Sequence, residues 1–152
     1  MGTDMTHVST IGSERPVQAE AAYLTAVPSV ELLVCVTCRS VGPAKETQDE
    51  APRDGAVLLE LLSTGLLPEN VAVRSVECLS NCTKGCTIAL RGDRRWTYIY
   101  GNIDPAVHLE TLIDGITRYS NSADGLVPWR ERPDHFRKNC IARIPPLEAP
   151  NV

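Results

Sequence analysis

The sequence predicts a mixed α/β domain in the order β-α-β-β-β-α, followed by a proline-rich extension. Three observations carry this. Two compact apolar runs, Val30–Val36 and Asn70–Val76, flank a segment with leucines at helical spacing. A glycine-containing turn at Gly92-Asp93 separates two further strand-like runs. A second amphipathic segment opens at Asp104-Pro105.

The elements follow in chain order. Residues 1–28 have no sustained period and scatter Gly, Ser, Thr and Pro, so they read as a mobile arm, with a short helix over Gln18–Leu24. Val30–Val36 is rich in Val and Leu and suits a central strand covered on both faces. Arg39–Arg53 is polar and contains Gly42-Pro43, which indicates a loop. A helix is predicted from Pro52 to Leu66, with Leu58, Leu61, Leu62 and Leu66 on its inner face and Gly65 and Pro68 as the stop. Val71 and Val73 give the next strand its buried face. Thr87–Arg91 and Trp96–Tyr100 form a hairpin about Gly92–Arg95. The last helix takes Asp104 as N-cap and Pro105 as first residue, and buries Leu109, Leu112, Ile113, Ile116 and Tyr119.

This order is that of a thioredoxin-like domain. The first two strands should run parallel through a right-handed crossover. The hairpin adds antiparallel strands, and a helix is expected on each face. The division is an arm at 1–28, the domain at 29–121 and a tail at 122–152. With Pro128, Pro133, Pro145, Pro146 and Pro150 the tail reads as too proline-rich for a regular element. Trp129, Phe136, Ile141 and Ile144 predict that it packs on the body or orders on a partner.

The bulk properties bound the function. A chain of 152 residues with 43% apolar and 22% charged residues can hold one core without disulfides. A net charge of -4 argues against nucleic acid as partner. No stretch is long and apolar enough for a membrane span. The first residues carry Asp4, Glu14 and Glu20 and no apolar core, unlike a secretory signal, so a cytoplasmic location is expected and with it free thiols. Arg74, Lys84, Arg91, Arg94 and Arg95 surround the main cysteine motif in sequence and suggest a docking surface for an acidic partner, with the tail as a second such surface.

Five of the six cysteines fall into two groups, Cys35-x-x-Cys38 and Cys78-x₃-Cys82-x₃-Cys86. In the predicted topology the loops that hold them share one end of the sheet. Four thiolates from two loops, Cys35, Cys38, Cys78 and Cys82, can hold a [2Fe–2S] cluster or one tetrahedral Zn²⁺. Two helices and a sheet already supply a core, which leaves zinc no folding task and favours the cluster. Cys86 is an alternative ligand, and a [4Fe–4S] cluster on four of the five thiols also satisfies the count. Cys140 stands apart in the tail. A competing reading makes Cys35 the nucleophile and Cys38 the resolving thiol of a thiol–disulfide oxidoreductase. Against it, such a site faces a cis-proline, and no proline occurs between Pro68 and Pro105, where Gly85-Cys86 holds the position. A metal-trafficking module is the other alternative.

The segment Val76-Glu77-Cys78-Leu79-Ser80-Asn81-Cys82 resembles the C-L-x-x-C element of thioredoxin-like [2Fe–2S] ferredoxins. In that family two cysteines after the first strand complete the ligand set, at a wider spacing than Cys35 and Cys38, and a proline commonly stands where this chain has Cys86. From about residue 30 onward the chain is similar to the DUF1636 family, on Cys-Val-Thr-Cys-Arg, Cys-Leu-Ser-Asn-Cys-Thr-Lys-Gly-Cys-Thr, Trp96-Thr97-Tyr98 and Leu126-Val127-Pro128-Trp129-Arg130-Glu131-Arg132-Pro133. That resemblance implies a predicted metal-binding protein associated with cobalamin biosynthesis and metal handling. The expectation is an electron carrier without substrate chemistry, serving a redox partner protein such as a cobalamin-pathway enzyme. By analogy with the fold, homodimerisation is also expected.

Overall fold

The structure is a computed structural model that describes residues 29–41 and 50–147. The expected arm at 1–28 and the helix predicted over Gln18–Leu24, part of the polar loop and the last five residues lie outside the described residues.

The first strand, β1, spans Val30–Cys35. Helix α1 spans Asp54–Leu62 and strand β2 Val71–Val76. Strands β3 (Ile88–Gly92) and β4 (Thr97–Tyr100) form the hairpin, and α2 covers Pro105–Asn121. The tail then forms a short helix α3 at Asp134–Lys138 and a strand β5 at Cys140–Ile144. The sheet has the order β2-β1-β3-β4-β5. β1 and β2 are parallel, and the remaining pairs are antiparallel. The mixed α/β class and the thioredoxin-like order of the first six elements are as the sequence predicts.

Strand register sets the core. Leu32, Leu90 and Tyr98 align across three strands, as do Val34, Ile88 and Tyr100. Side chains of aligned residues share a face, and all six are buried. Leu58 and Leu62 of α1 and Leu112, Ile116 and Tyr119 of α2 close over them in a single cluster. α1 packs on α2, and α2 on α3. The helices therefore share a layer rather than dividing between the two faces. On the other face Leu33, Ala89 and Ile99 align, and Glu31 bridges Arg74 and Arg91 at 2.6 Å each.

α1 is shorter than the leucine pattern suggests. Ser63 Oγ and Thr64 Oγ1 donate to the Leu59 and Leu61 carbonyls, and Gly65 turns at φ 86°, leaving Leu66 outside the helix and exposed. α2 begins as expected, with Asp104 Oδ1 accepting from the Ala106 amide at 2.9 Å and Pro105 in the first turn.

The tail differs most from its sequence reading. Its prolines punctuate regular elements. Pro133 immediately precedes α3, and Pro145 and Pro146 follow β5. Phe136 of α3 lies 4.2 Å, centroid to centroid, from Tyr100 and fills the space left by Gly115. Arg132 stacks over Tyr98 and Trp129 and donates to the Val127 carbonyl at 2.7 Å, while Trp129 itself is 60% exposed. Among the described residues no helix is long and apolar enough to cross a membrane.

Candidate functional site

Topology brings the cysteine segments to one end of the sheet. β1 ends at Cys35, which pairs with Val76 at the end of β2. β3 starts just after Cys86 and Thr87, and Cys140 pairs with Tyr100 at the end of β4. The hairpin tip lies at the opposite end, since Gly92 pairs with Val30. The basic hairpin is thus displaced from the cysteines by the length of β3, roughly 13 Å at 3.3 Å per step. It is also engaged: Arg91 holds Glu31, and Arg95 donates to the Tyr119 and Ser122 carbonyls. The docking role suggested for Arg91, Arg94 and Arg95 from sequence therefore does not adjoin the thiols.

Cys35 and Cys38 are 1% and 5% exposed, with their sulfurs 3.1 Å apart and Cys38 donating to Cys35. The turn between them is fixed from two sides. The Gly55 amide donates to the Cys38 carbonyl at 3.0 Å, and Gly55 packs so tightly on the Cys35 carbonyl that only glycine has room. Asp54 Oδ2 accepts from the Ser40 amide at 2.8 Å and its hydroxyl at 2.7 Å, pinning the chain beyond Cys38 to the start of α1.

The two thiols are unequal. Burial raises the Cys35 pKa, but hydrogen bonds from the Cys38 thiol, the Leu79 amide and Thr37 overcome it and hold Cys35 below the ordinary cysteine value. Cys38 is pushed up to about 11, first by burial and then by the hydrogen bond it gives to Cys35 and that group's charge. The Thr87 amide and hydroxyl oppose the shift.

The second cysteine loop is joined to the Cys35 turn just before Cys78. The Glu77 carbonyl accepts from Thr37 Oγ1 at 2.5 Å and from Cys35 Sγ at 3.5 Å. Cys78 and Cys82 are exposed, and the Ser80 amide donates to Cys78 Sγ at 3.2 Å. Asn81 braces the loop through Thr87 Oγ1 at 3.1 Å, and the Asn102 amide donates to the Lys84 carbonyl at 2.6 Å.

The family comparison bears on this end of the molecule, because its match contains both loops. A family model described as a protein of unknown function, DUF1636, matches residues 32–146. The chain belongs to the DUF1636 family. No curated protein and no solved structure matches it. The match also spans α3 and all of β5, so the DUF1636 unit includes the tail elements that complete the sheet.

Of the predicted ligands of this DUF1636 chain, the structure brings Cys35 and Cys38 together, and leaves Cys78 and Cys82 exposed in the loop after β2. Among the described residues no three His, Cys, Asp or Glu side chains converge to hold a metal ion. The donors nonetheless suit a soft metal in kind: they are cysteine thiols in two loops, with the Ser80 amide donating to Cys78 Sγ at 3.2 Å. Cys86 is fully buried. It follows a cis peptide bond from Gly85, and its main chain pairs with Ile103 in both directions. Cys140 is exposed, its sulfur 3.6 Å from the Ala142 carbonyl. Thr37, Glu77, Leu79, Asn81, Gly55 and Thr87 were not readable as site residues. Only Thr37, placed between two cysteines, and the residues inside the Cys78–Cys86 motif carried any signal.

Proposed function

We propose that this protein is a one-electron carrier whose [2Fe–2S] cluster is held by Cys35, Cys38, Cys78 and Cys82. The observation that carries the reading is the attachment of the Cys78 loop to the Cys35 turn through the Glu77 carbonyl, which accepts from Cys35 Sγ and Thr37 Oγ1 next to the exposed Cys78. A bound cluster supplies a one-electron couple without substrate chemistry. The chain would contribute four thiolates, exclusion of water around Cys35 and Cys38, and an amide donor to Cys78 Sγ, the kind of contact that tunes a cluster's potential. The redox partner, which we take to be a protein of cobalamin biosynthesis or metal handling, would dock at the cysteine end, where Lys84 is exposed, and not at the hairpin. A cytoplasmic location belongs to the same proposal, because it keeps the thiols reduced.

A second reading is favoured by the 3.1 Å sulfur–sulfur approach: Cys35 and Cys38 as a redox dithiol. Their burial counts against it, since a partner disulfide needs access to the attacking sulfur.

Anaerobic purification followed by iron, sulfide and zinc analysis and a visible spectrum separates the readings. Equal iron and sulfide in a brown protein are expected. They should be lost in Cys→Ser variants at 35, 38, 78 and 82, and kept in C140S. A colourless protein with stoichiometric zinc would replace the carrier by a zinc module. A metal-free protein that reduces a model disulfide would establish the dithiol.

A further inference from the structure

The parallel pairing of β1 and β2 runs on to Val36, whose amide donates to the Val76 carbonyl at 2.9 Å. There the main chain leaves the ladder and turns toward Cys38. A side chain supplies the next rung: Thr37 Oγ1 donates to the Glu77 carbonyl at 2.5 Å. A threonine hydroxyl has one hydrogen, and its other contact, with Cys35 Sγ, is far longer at 3.9 Å, so the hydrogen goes to Glu77. Thr37 and Glu77 each stand one residue before a proposed ligand, Cys38 and Cys78. Their bond therefore joins the two thiol segments where the chain enters each of them. Cys35 makes a second link to the same carbonyl, its Sγ donating at 3.5 Å. The two links respond differently to ligation. A ligating cysteine is a thiolate and has no hydrogen to give, so the Cys35 link is lost. The Thr37 hydroxyl keeps its hydrogen.

We propose that Thr37 is a positioning residue of the thiol centre: its hydroxyl is the side-chain bond that still ties the Cys35–Cys38 turn to the Cys78 segment once Cys35 has given up its proton. The proposal rests on the metal–thiolate reading above. It adds that a residue which touches no metal sets how strongly the site holds one, and that it matters more to the loaded protein than to the metal-free one.

The test is anaerobic titration of reduced, metal-free, full-length protein with Co²⁺, followed by the thiolate-to-cobalt charge-transfer absorption, beside urea denaturation of the metal-free protein. Thr37 is exposed, so Thr37→Val keeps the shape, removes the hydroxyl and leaves the core untouched. In the metal-free variant Cys35 still holds Glu77, and the urea midpoint should stay close to that of the wild type. Cobalt affinity should fall about 3- to 10-fold, the net worth of one hydrogen bond. Thr37→Ser should restore it. Thr64→Val removes another exposed hydroxyl bond, to the Leu61 carbonyl just past the C-terminal end of α1, and should bind cobalt as the wild type does. Wild-type affinity in Thr37→Val, or a loss that Thr37→Ser does not restore, overturns the positioning role while wild-type binding stands. So does a metal-free Thr37→Val protein that is destabilised as much as its binding is weakened, or that fails to fold, because the bond then serves the fold and not the loaded site. A wild-type protein that takes up no cobalt overturns the metal–thiolate reading itself, and the positioning role with it.

Discussion

His135 is buried with both ring nitrogens engaged. Nε2 lies 2.9 Å from the Gly101 carbonyl, and Nδ1 lies 3.3 Å from Asn139 Nδ2. This pattern requires a neutral ring with its hydrogen on Nε2. Burial lowers the His135 pKa below 6.5, the nearby His108 adds to the shift, and the bond to Gly101 and the Asp134 charge oppose it. The unfolded chain, titrating near 6.5, therefore binds more protons than the folded one between the two values. The stabilisation is complete above pH 6.5 and declines as pH falls through the folded value. Glu31 and Asp124, whose pKa values are also lowered, lose their contributions only in more acid solution, below their ordinary 4.5 and 3.8. The denaturant midpoint should thus fall between pH 7 and 5, and His135→Gln should flatten that slope while costing about 1–3 kcal/mol at pH 7.5. A wild-type midpoint constant over this range would refute the assignment. No sequence signal marked this histidine, because its partners come from the end of β4 and from α3, and neither the tail helix nor its docking was legible in a proline-rich stretch.

At the scale of elements, α1 governs the geometry of the thiols. Its first turn carries Asp54, which holds Ser40, and Gly55, which lies against the Cys35 carbonyl. A methyl group at Gly55 would overlap that carbonyl, so Gly55→Ala must push α1 away from β1. The expected cost is about 1–3 kcal/mol, as for other overpacked contacts, with weaker cobalt uptake because the Cys35–Cys38 turn loses its support. Urea denaturation and the cobalt titration measure the two effects, and a variant normal in both would show that α1 does not position the turn. The existence of α1, α2, the hairpin and the parallel β1–β2 pair was legible from leucine periodicity, Asp104-Pro105 and the valine runs, since these signals are local. The grouping of the cysteines was legible for the same reason. Their split into a buried and an exposed pair was not: it depends on Gly55 and Thr87 meeting the Cys35–Cys38 turn from distant parts of the chain. The hairpin arginines mislead in the same way, since proximity in sequence to Cys86 becomes separation in space once β3 extends away from it.

For the whole molecule, the question is whether residues 29–121 stand alone or depend on the C-terminal segment 122–152. β5 covers the edge of β4, Phe136 packs on Tyr100 and Gly115, and Arg132 lies over Tyr98. The tail also supports the thiol end: the Gly101 amide donates to the Asn139 carbonyl at 3.1 Å, and Asn102 Nδ2 to Asn139 Oδ1 at 2.9 Å. The same Gly101–Asn102 turn contacts Asn81 and the Lys84 carbonyl in the cysteine loop. Removing residues 122–152 should therefore cost more than Phe136→Ala alone, which is expected to lose about 3–5 kcal/mol. Domains of this kind carry about 5–15 kcal/mol in total, so the truncated chain should not unfold cooperatively, and Phe136→Ala should still do so at a lower urea midpoint. Metal uptake should follow the same order, wild type, Phe136→Ala, truncation, because the loop that presents Cys78 and Cys82 rests on a turn that the tail secures. A chain ending at Asn121 that unfolds at the wild-type midpoint and binds cobalt normally would make the tail an appendage. If the midpoint drops while the cobalt affinity of the remaining folded protein is unchanged, the tail stabilises the sheet without reaching the thiols.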